Sequence, residues 1–151
     1  MSGRKIQLES FEAGFERLGL RFFQAREFLV MGSGNAGGRC GGKNTPPPRK
    51  VWPDIYRVAA VWDLVRARLG SPITTLSVYR SPAYNSCIGG ASLSQHMLGK
   101  AADATGGKVP ARELYDIALE LRAEGVFSGG VGLYTNSNFV HIDVRGVDAT
   151  W

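Results

Sequence analysis

Residues 94–103 read Ser-Gln-His-Met-Leu-Gly-Lys-Ala-Ala-Asp, and residues 139–143 read Phe-Val-His-Ile-Asp. These stretches hold the only two histidines of the chain, His96 and His141, and an aspartate, Asp103. A glycine between His96 and Asp103 permits a tight turn that can bridge them. The alternation of residues 139–143 is typical of a strand with one face toward a site.

Two imidazoles and one carboxylate form a three-ligand zinc set that leaves a fourth position for water, as hydrolysis at a metal requires. The competing interpretation is that the histidines are unrelated hydrogen-bonded residues and that Asp103 caps a helix. An H-x6-D spacing is not specific by itself, so these residues leave both interpretations open. A thiolate site is nearly excluded, because Cys40 and Cys87 are the only cysteines and form no CxxC. They form one disulfide in an oxidising compartment or remain two thiols.

Composition is that of a globular protein, with 44% hydrophobic and 21% charged residues. The formal charge of +5 favours an anionic partner, for which nucleic acid, a membrane surface and a teichoic-acid-rich wall all qualify. A nucleic-acid binder built around residues 39–50 would lack an aromatic platform and a helix-turn-helix pattern, so no nucleic-acid partner is predicted. No apolar run reaches the roughly 18 residues of a membrane span, and no signal peptide is seen.

The apolar spacing predicts helices separated by strands. Residues 11–30 are expected to form short helices or turns, with a long Gly/Pro-rich loop over 32–50. The strongest helix is predicted from an Asp54 N-cap to a stop at Gly70, and a second from Pro110 to Gly125. Strands are expected at 73–79, 131–134 and 139–144.

The predicted order of elements is helix, strand, loop, strand, helix, strand, strand. It indicates an α+β fold with a small, mainly antiparallel sheet flanked by helices. At 151 residues we expect a single domain over 1–151, with an N-terminal extension at 1–21.

Several further motifs carry a family resemblance. They are Tyr79-Arg80-Ser81-Pro82-Ala83-Tyr84-Asn85, Gly89-Gly90-Ala91, Ser94-Gln95-His96, Gly99-Lys100-Ala101-Ala102-Asp103, Gly129-Gly130-Val131-Gly132-Leu133-Tyr134 and Phe139-Val140-His141-Ile142-Asp143. In this order they resemble the M15 zinc peptidases, and most closely the branch of D-alanyl-D-alanine carboxypeptidase-like and murein endopeptidase domains of bacteria and phages. The resemblance runs from about Phe22 to the C-terminus.

The resemblance implies a Hedgehog/DD-peptidase type fold and zinc held by His96, Asp103 and His141. It also implies hydrolysis of peptidoglycan stem peptides or cross-links at bonds involving D-amino acids, by a carboxypeptidase or an endopeptidase. We expect a periplasmic, extracellular or cell-wall location, which a phage-encoded protein could also reach. We also expect the protein to be a monomer. By the same similarity Arg80 would stabilise the oxyanion or hold a substrate carboxylate. The alternative for Arg80 is a surface salt bridge.

One position departs from the family pattern. Several members place Glu or Asp three residues before the second histidine as general base, whereas this chain has Asn138, whose amide cannot take up a proton usefully. Asp143 could replace that base, since residues two apart on a strand share a face, or it could orient a ligating imidazole.

Further residues are expected to line the site and contact substrate: Ser94, Gln95, Tyr134 and Asn138. Ser94 and Gln95 could instead brace the ligand loop, and Tyr134 could belong to the core. Because of Asn138, a non-catalytic zinc-stabilised module that binds wall peptides is the alternative function.

Overall fold

The computed structural model of the protein describes residues 10–151. The expected N-terminal extension over 1–21 therefore lies partly outside the described residues. The α-helices of the described chain are α1, Phe11–Glu16; α2, Trp52–Leu69; α3, Pro82–Cys87; and α4, Ala111–Ala123. The strands are β1, Thr74–Ser77; β2, Ala101–Thr105; β3, Gly130–Tyr134; β4, Phe139–Asp143; and β5, Ala149–Thr150. Short 3-10 turns fill the connections at Ala25–Phe28, Ser33–Asn35, Gly38–Cys40, Arg49–Val51 and Gln95–Leu98.

Helix α2 is the long helix that the sequence predicts, but its predicted N-cap at Asp54 is wrong. The helix begins at Trp52 and has Val51 at the N-cap position. A proline in the first turn fits this earlier start, because the first turn leaves backbone N–H groups without intrahelical partners anyway. The helix ends at Gly70, as predicted, which adopts a left-handed conformation.

The sheet has the strand order β1-β2-β4-β3-β5 and is antiparallel except for the β3–β5 pair. One face is apolar and packs on helices α2 and α4. The residues that face it from the strands are Ala102, Ala104, Val131, Val140 and Ile142, and all are completely buried. The indole of Trp62 on α2 donates a hydrogen bond of 3.1 Å to the carbonyl of Ala102, which fixes the helix against the sheet.

The segment before α2 closes the other end of the core. Phe11 and Phe15 on α1 are buried against Tyr56 of α2. The buried carboxylate of Asp63 accepts hydrogen bonds from the backbone N–H groups of residues 21–23. This segment thereby covers the core with short helices and turns, as the sequence predicts.

The architecture confirms the predicted α+β class with a mainly antiparallel sheet. Helix α3 and strand β5 were not predicted, because each is very short.

Cys40 in the Gly/Pro-rich loop and Cys87 at the end of α3 form a disulfide, with 5.8 Å between their Cα atoms. Over residues 10–151, none of the helices has the length and apolarity to cross a membrane.

Candidate metal centre

The polar face of the sheet aligns two of the three predicted ligands, Asp103 and His141, in one row. In register, Ser77 of β1 pairs with Asp103 of β2, and Asp103 pairs with His141 of β4. His141 in turn pairs with Gly132 of β3. Because directly opposed residues on paired strands point to the same face, these side chains meet above the middle of the sheet. The sequence pattern of each strand predicts its faces, whereas the register between strands brings the row together.

His96 reaches the same point from outside the sheet. It lies in the 3-10 turn Gln95–Leu98, whose first backbone N–H groups are capped by Ser94, with His96 N donating to Ser94 Oγ over 3.2 Å. His96 Nδ1 lies 2.6 Å from the carbonyl oxygen of Val78. A carbonyl oxygen only accepts, so Nδ1 carries the proton and Nε2 presents its lone pair.

The three candidate ligands converge on a shared point. Asp103 Oδ1 lies 3.2 Å from His96 Nε2 and 2.9 Å from His141 Nδ1, and one donor atom from each residue lies within 4.8 Å of the others. Donor atoms around a tetrahedral zinc ion are about 3.3–3.6 Å apart. His96 Nε2 is buried and has no hydrogen-bond partner. Because a buried nitrogen lone pair without a partner is unfavourable, this His-Asp-His cluster could bind a metal ion.

The second ring nitrogen of His141, Nε2, contacts a buried aspartate. Nε2 lies 2.7 Å from Asp143 Oδ2, as the two-residue spacing on β4 predicts. Asp143 is completely buried and accepts a bidentate pair from Arg145, with Nε at 2.9 Å and Nη2 at 2.7 Å. The backbone N–H of Gly130 adds a hydrogen bond of 2.8 Å.

These contacts keep both carboxylates ionised. Burial alone would raise the pKa of Asp103, but the nearby His96 and the hydrogen bond with His141 outweigh it and hold that pKa well below its usual range. Burial would likewise raise the pKa of Asp143, but hydrogen bonds from His141 and Arg145 hold it low. Burial would lower the pKa of His141, yet the two carboxylates raise it above its ordinary value. Asp103 is thus an anionic oxygen donor, the form that binds a cation.

Arg80 lies beside the cluster, as the resemblance implies. Its Nη2 is 3.4 Å from Asp103 Oδ2, its Nε donates to Ser77 Oγ over 3.1 Å and its Nη1 donates to Asn85 Oδ1 over 3.3 Å. Asn85 is buried, and its own amide donates to the carbonyl of Ala91. The guanidinium is therefore held in place and is not part of a surface ion pair.

The cluster opens into a cleft of about 390 Å³, which we call the first cleft. Beside the cluster and Arg80, its walls include Ser94, Gln95, Tyr134, Phe139, Arg145 and Trp151. Three of the four residues expected to contact substrate are thus on the cleft: Ser94, Gln95 and Tyr134.

The structure does not bring Asn138, the remaining expected contact, to the first cleft. Its amide faces the loop before α4, where Oδ1 accepts from Ala111 N over 2.7 Å and Nδ2 donates to Gly107 O over 2.8 Å. Its backbone is in the left-handed region, with φ of 50°, which asparagine tolerates better than most residues. Asn138 therefore shapes the turn between β3 and β4.

Asn85, Arg145 and Trp151 also belong to the site, although the sequence did not identify them as site residues. Arg145 could have been found, because His141, Asp143 and Arg145 continue one alternation along the chain. The Trp151 ring lies 5.1 Å from the His141 ring, and its Nε1 donates to the Tyr134 hydroxyl over 2.8 Å. No local pattern predicts that contact, since it depends on where β5 pairs.

Comparison with known proteins agrees with this geometry. Among curated proteins, none matches the chain significantly. The sequence model of the Peptidase M15 family matches residues 23–143, a range that contains the whole His-Asp-His cluster, Arg80 and Asp143. With most of its length matched and the cluster assembled on one face of the sheet, the chain belongs to the peptidase M15 family.

Proposed function

We propose that this peptidase is zinc-dependent and hydrolyses peptide bonds of peptidoglycan stem peptides or their cross-links at D-amino acids, as a carboxypeptidase or an endopeptidase. The observation that carries the metal dependence is the buried, unpartnered Nε2 of His96 beside the ionised Asp103. The substrate class rests on the family resemblance and on the formal charge of +5, which suits an anionic cell wall.

His96, Asp103 and His141 would hold the zinc ion, through Nε2, a carboxylate oxygen and Nδ1. The chemistry that zinc supplies in such a set is Lewis acidity toward water and the scissile carbonyl. Imidazole and carboxylate ligands suit zinc, and a set of three leaves room for catalysis.

Arg80 provides positive charge where the carbonyl oxygen becomes negative. Its anchoring to Ser77 and Asn85 supports this role, because a donor that is already oriented costs no reorganisation during the reaction. Its distance of 3.4 Å from Asp103 places it next to the ligand cluster.

Asp143 acts on His141 as a positioning residue in this proposal. Its carboxylate is fully buried and already shared between His141, Arg145 and Gly130, so it supports the orienting alternative better than the general-base one. The ring of His141 is thereby turned so that Nδ1 faces Asp103.

The Cys40–Cys87 disulfide supports a site of action outside the cytoplasm, either periplasmic, extracellular or in the cell wall. We propose that the chain acts there as a monomeric single domain.

A non-catalytic, zinc-stabilised module that binds wall peptides is the second candidate function. One observation favours it: among the described residues that line the first cleft, Asp103 has the only acidic side chain. A general base would then have to come from water, from substrate or from another residue.

Digestion of defined muropeptides by the zinc-loaded protein, followed by mass spectrometry, separates the two functions. We expect cleavage products that a chelator abolishes. His96→Ala should lose both metal and activity, and Arg80→Ala should keep the metal and lose turnover. Arg112→Ala, an exposed arginine on α4, is the matched control and should retain both. Stoichiometric zinc binding with no cleavage of any muropeptide would refute catalysis and leave the binding module.

A further inference from the structure

A second cleft adjoins the first at the ligand cluster. It has a volume of about 280 Å³ and shares Arg80, Asp103 and Phe139 with the first cleft. Its remaining wall includes Ser33, Leu76, Tyr84, Ile88 and Ser137. Because the two clefts meet at Arg80 and Asp103, space for a bound chain extends on both sides of the reacting position.

The outer wall of the second cleft is apolar and accessible. Leu76 is 40% exposed and Ile88 is 39% exposed. Leu76 lies at a bulge in β1, because Thr75 pairs with Ala104 and Ser77 pairs with Asp103, which leaves Leu76 without a partner in register. A bulge redirects a side chain, and this one keeps Ser77 in the ligand row while Leu76 borders the cleft.

The walls are held in position by a buried asparagine. Asn44 donates to the carbonyl oxygens of Met31 and Tyr79, over 2.9 and 3.0 Å, and accepts from the backbone N–H of Ser81 over 2.8 Å. Asn44 lies in the 32–50 loop, and these hydrogen bonds connect the loop to Met31, just before it, and to Tyr79 and Ser81, just before α3. A cleft with fixed walls needs little reorganisation when it binds a ligand.

The charged side chains of the two clefts help to distinguish a carboxypeptidase substrate, which ends in a carboxylate, from an endopeptidase substrate. Among the described residues that line the second cleft, only Arg80 and Asp103 are charged; Asp103 belongs to the ligand cluster and Arg80 lies beside it. In the first cleft, Arg145 is committed to the buried Asp143. A carboxypeptidase needs a cation beyond the scissile bond for the terminal carboxylate. The only arginine or lysine side chains that line the two clefts are Arg145, which pairs with Asp143, and Arg80, which the proposed function places at the carbonyl oxygen.

We propose that the second cleft is an extended subsite for the uncharged, aliphatic part of a peptide, so that the enzyme cuts cross-linked peptides within the chain. This inference rests on the proposed function. It assigns an endopeptidase activity, with the substrate continuing in both directions from Arg80.

The test compares two substrates on zinc-loaded protein: a cross-linked muropeptide dimer and an uncross-linked pentapeptide, in which loss of the terminal residue is the carboxypeptidase reaction. We expect kcat/KM to be higher for the dimer. Leu76→Asp and Ile88→Asp should each lower kcat/KM for the dimer by about 10-fold or more, with a smaller effect on the pentapeptide. Leu64→Asp on α2, where the leucine is 43% exposed and does not border the second cleft, is the matched control and should leave the dimer rate unchanged.

Binding provides a readout that does not need turnover. The dimer should bind zinc-free wild-type protein, measured by calorimetry, and bind Leu76→Asp more weakly than Leu64→Asp. Faster cleavage of the pentapeptide, or equal losses on both substrates in Leu76→Asp, would overturn the subsite. If neither substrate is cut, the proposed function fails, and equal dimer binding by the two variants would then separately reject the subsite.

Discussion

The carboxylate of Asp143 sets the orientation of the His141 ring. Oδ2 faces His141 Nε2 and Arg145, and Oδ1 accepts from Gly130 and from both the backbone and side chain of Arg145. Each oxygen is therefore needed as an acceptor. The neighbouring ring nitrogen remains directed at Asp103, which is the side on which a metal ion would bind.

Asp143→Asn tests whether this residue orients the ligand or acts as a base. An amide offers only one acceptor oxygen, so either His141 or Arg145 loses its partner, and metal affinity should fall by about 10–100-fold. Competition with a chromophoric chelator measures that affinity. Asp116→Asn, on the exposed surface of α4, is the control and should not change it. Unchanged affinity with hydrolysis slowed by about 10²–10⁴-fold would instead assign the base role.

At the level of the element, strand β3 carries glycine where other residues approach it. Gly130 faces the Asp143 carboxylate, and a Cβ at that position would lie 2.4 Å from Oδ2. Gly132 lies beneath the indole of Trp151, where a Cβ would be 2.4 Å from Nε1. The glycines of this strand therefore make room for the residues that surround His141.

Gly132→Ala should displace the Trp151 indole, because the indole occupies the space of the added methyl group. The hydrogen bond from the indole to the Tyr134 hydroxyl should then be lost. Tryptophan emission should change, while Trp52 and the completely buried Trp62 contribute a constant signal. Gly37→Ala is the matched control, since its backbone is extended and its Cβ would meet nothing within 4 Å. An emission spectrum of Gly132→Ala identical to that of the wild type would show that the indole does not lie on β3.

At the level of the whole molecule, the disulfide joins the Gly/Pro-rich loop to the helix beside the site. Cys40 and Cys87 are 47 residues apart, and Asn85, which holds Arg80, lies on the same helix as Cys87. The crosslink therefore restrains the unfolded chain and also stabilises the outer wall of the second cleft.

Replacement of both cysteines by serine should lower the free energy of unfolding by about 4 kcal/mol, the chain-entropy value for a loop of this length. Urea unfolding followed by circular dichroism measures the difference. Wild-type protein in reductant should match the double variant, whereas the variant should not respond to reductant. Equal stability of oxidised wild type and double variant would contradict a stabilising crosslink.

The sequence by itself determined the elements and the candidate ligands. Apolar spacing, turn residues and strand alternation are local properties, so they placed α2, α4, β3 and β4 within a few residues of their observed bounds. The same local patterns put His141 and Asp143 on one face of a strand. They misplaced the start of α2, which has a proline in its first turn, made β1 too long and did not predict the short α3 and β5.

Only the tertiary structure decided which of these residues meet. Asp103 and His141 are 38 residues apart, and their contact depends on the register between β2 and β4. The choice between a disulfide and two thiols, the anchoring of Arg80 by Asn85 and the position of Trp151 above Gly132 depend in the same way on long-range pairing. The physical reason is that periodicity fixes the direction of a side chain relative to its own backbone, whereas packing of the whole chain fixes what lies opposite.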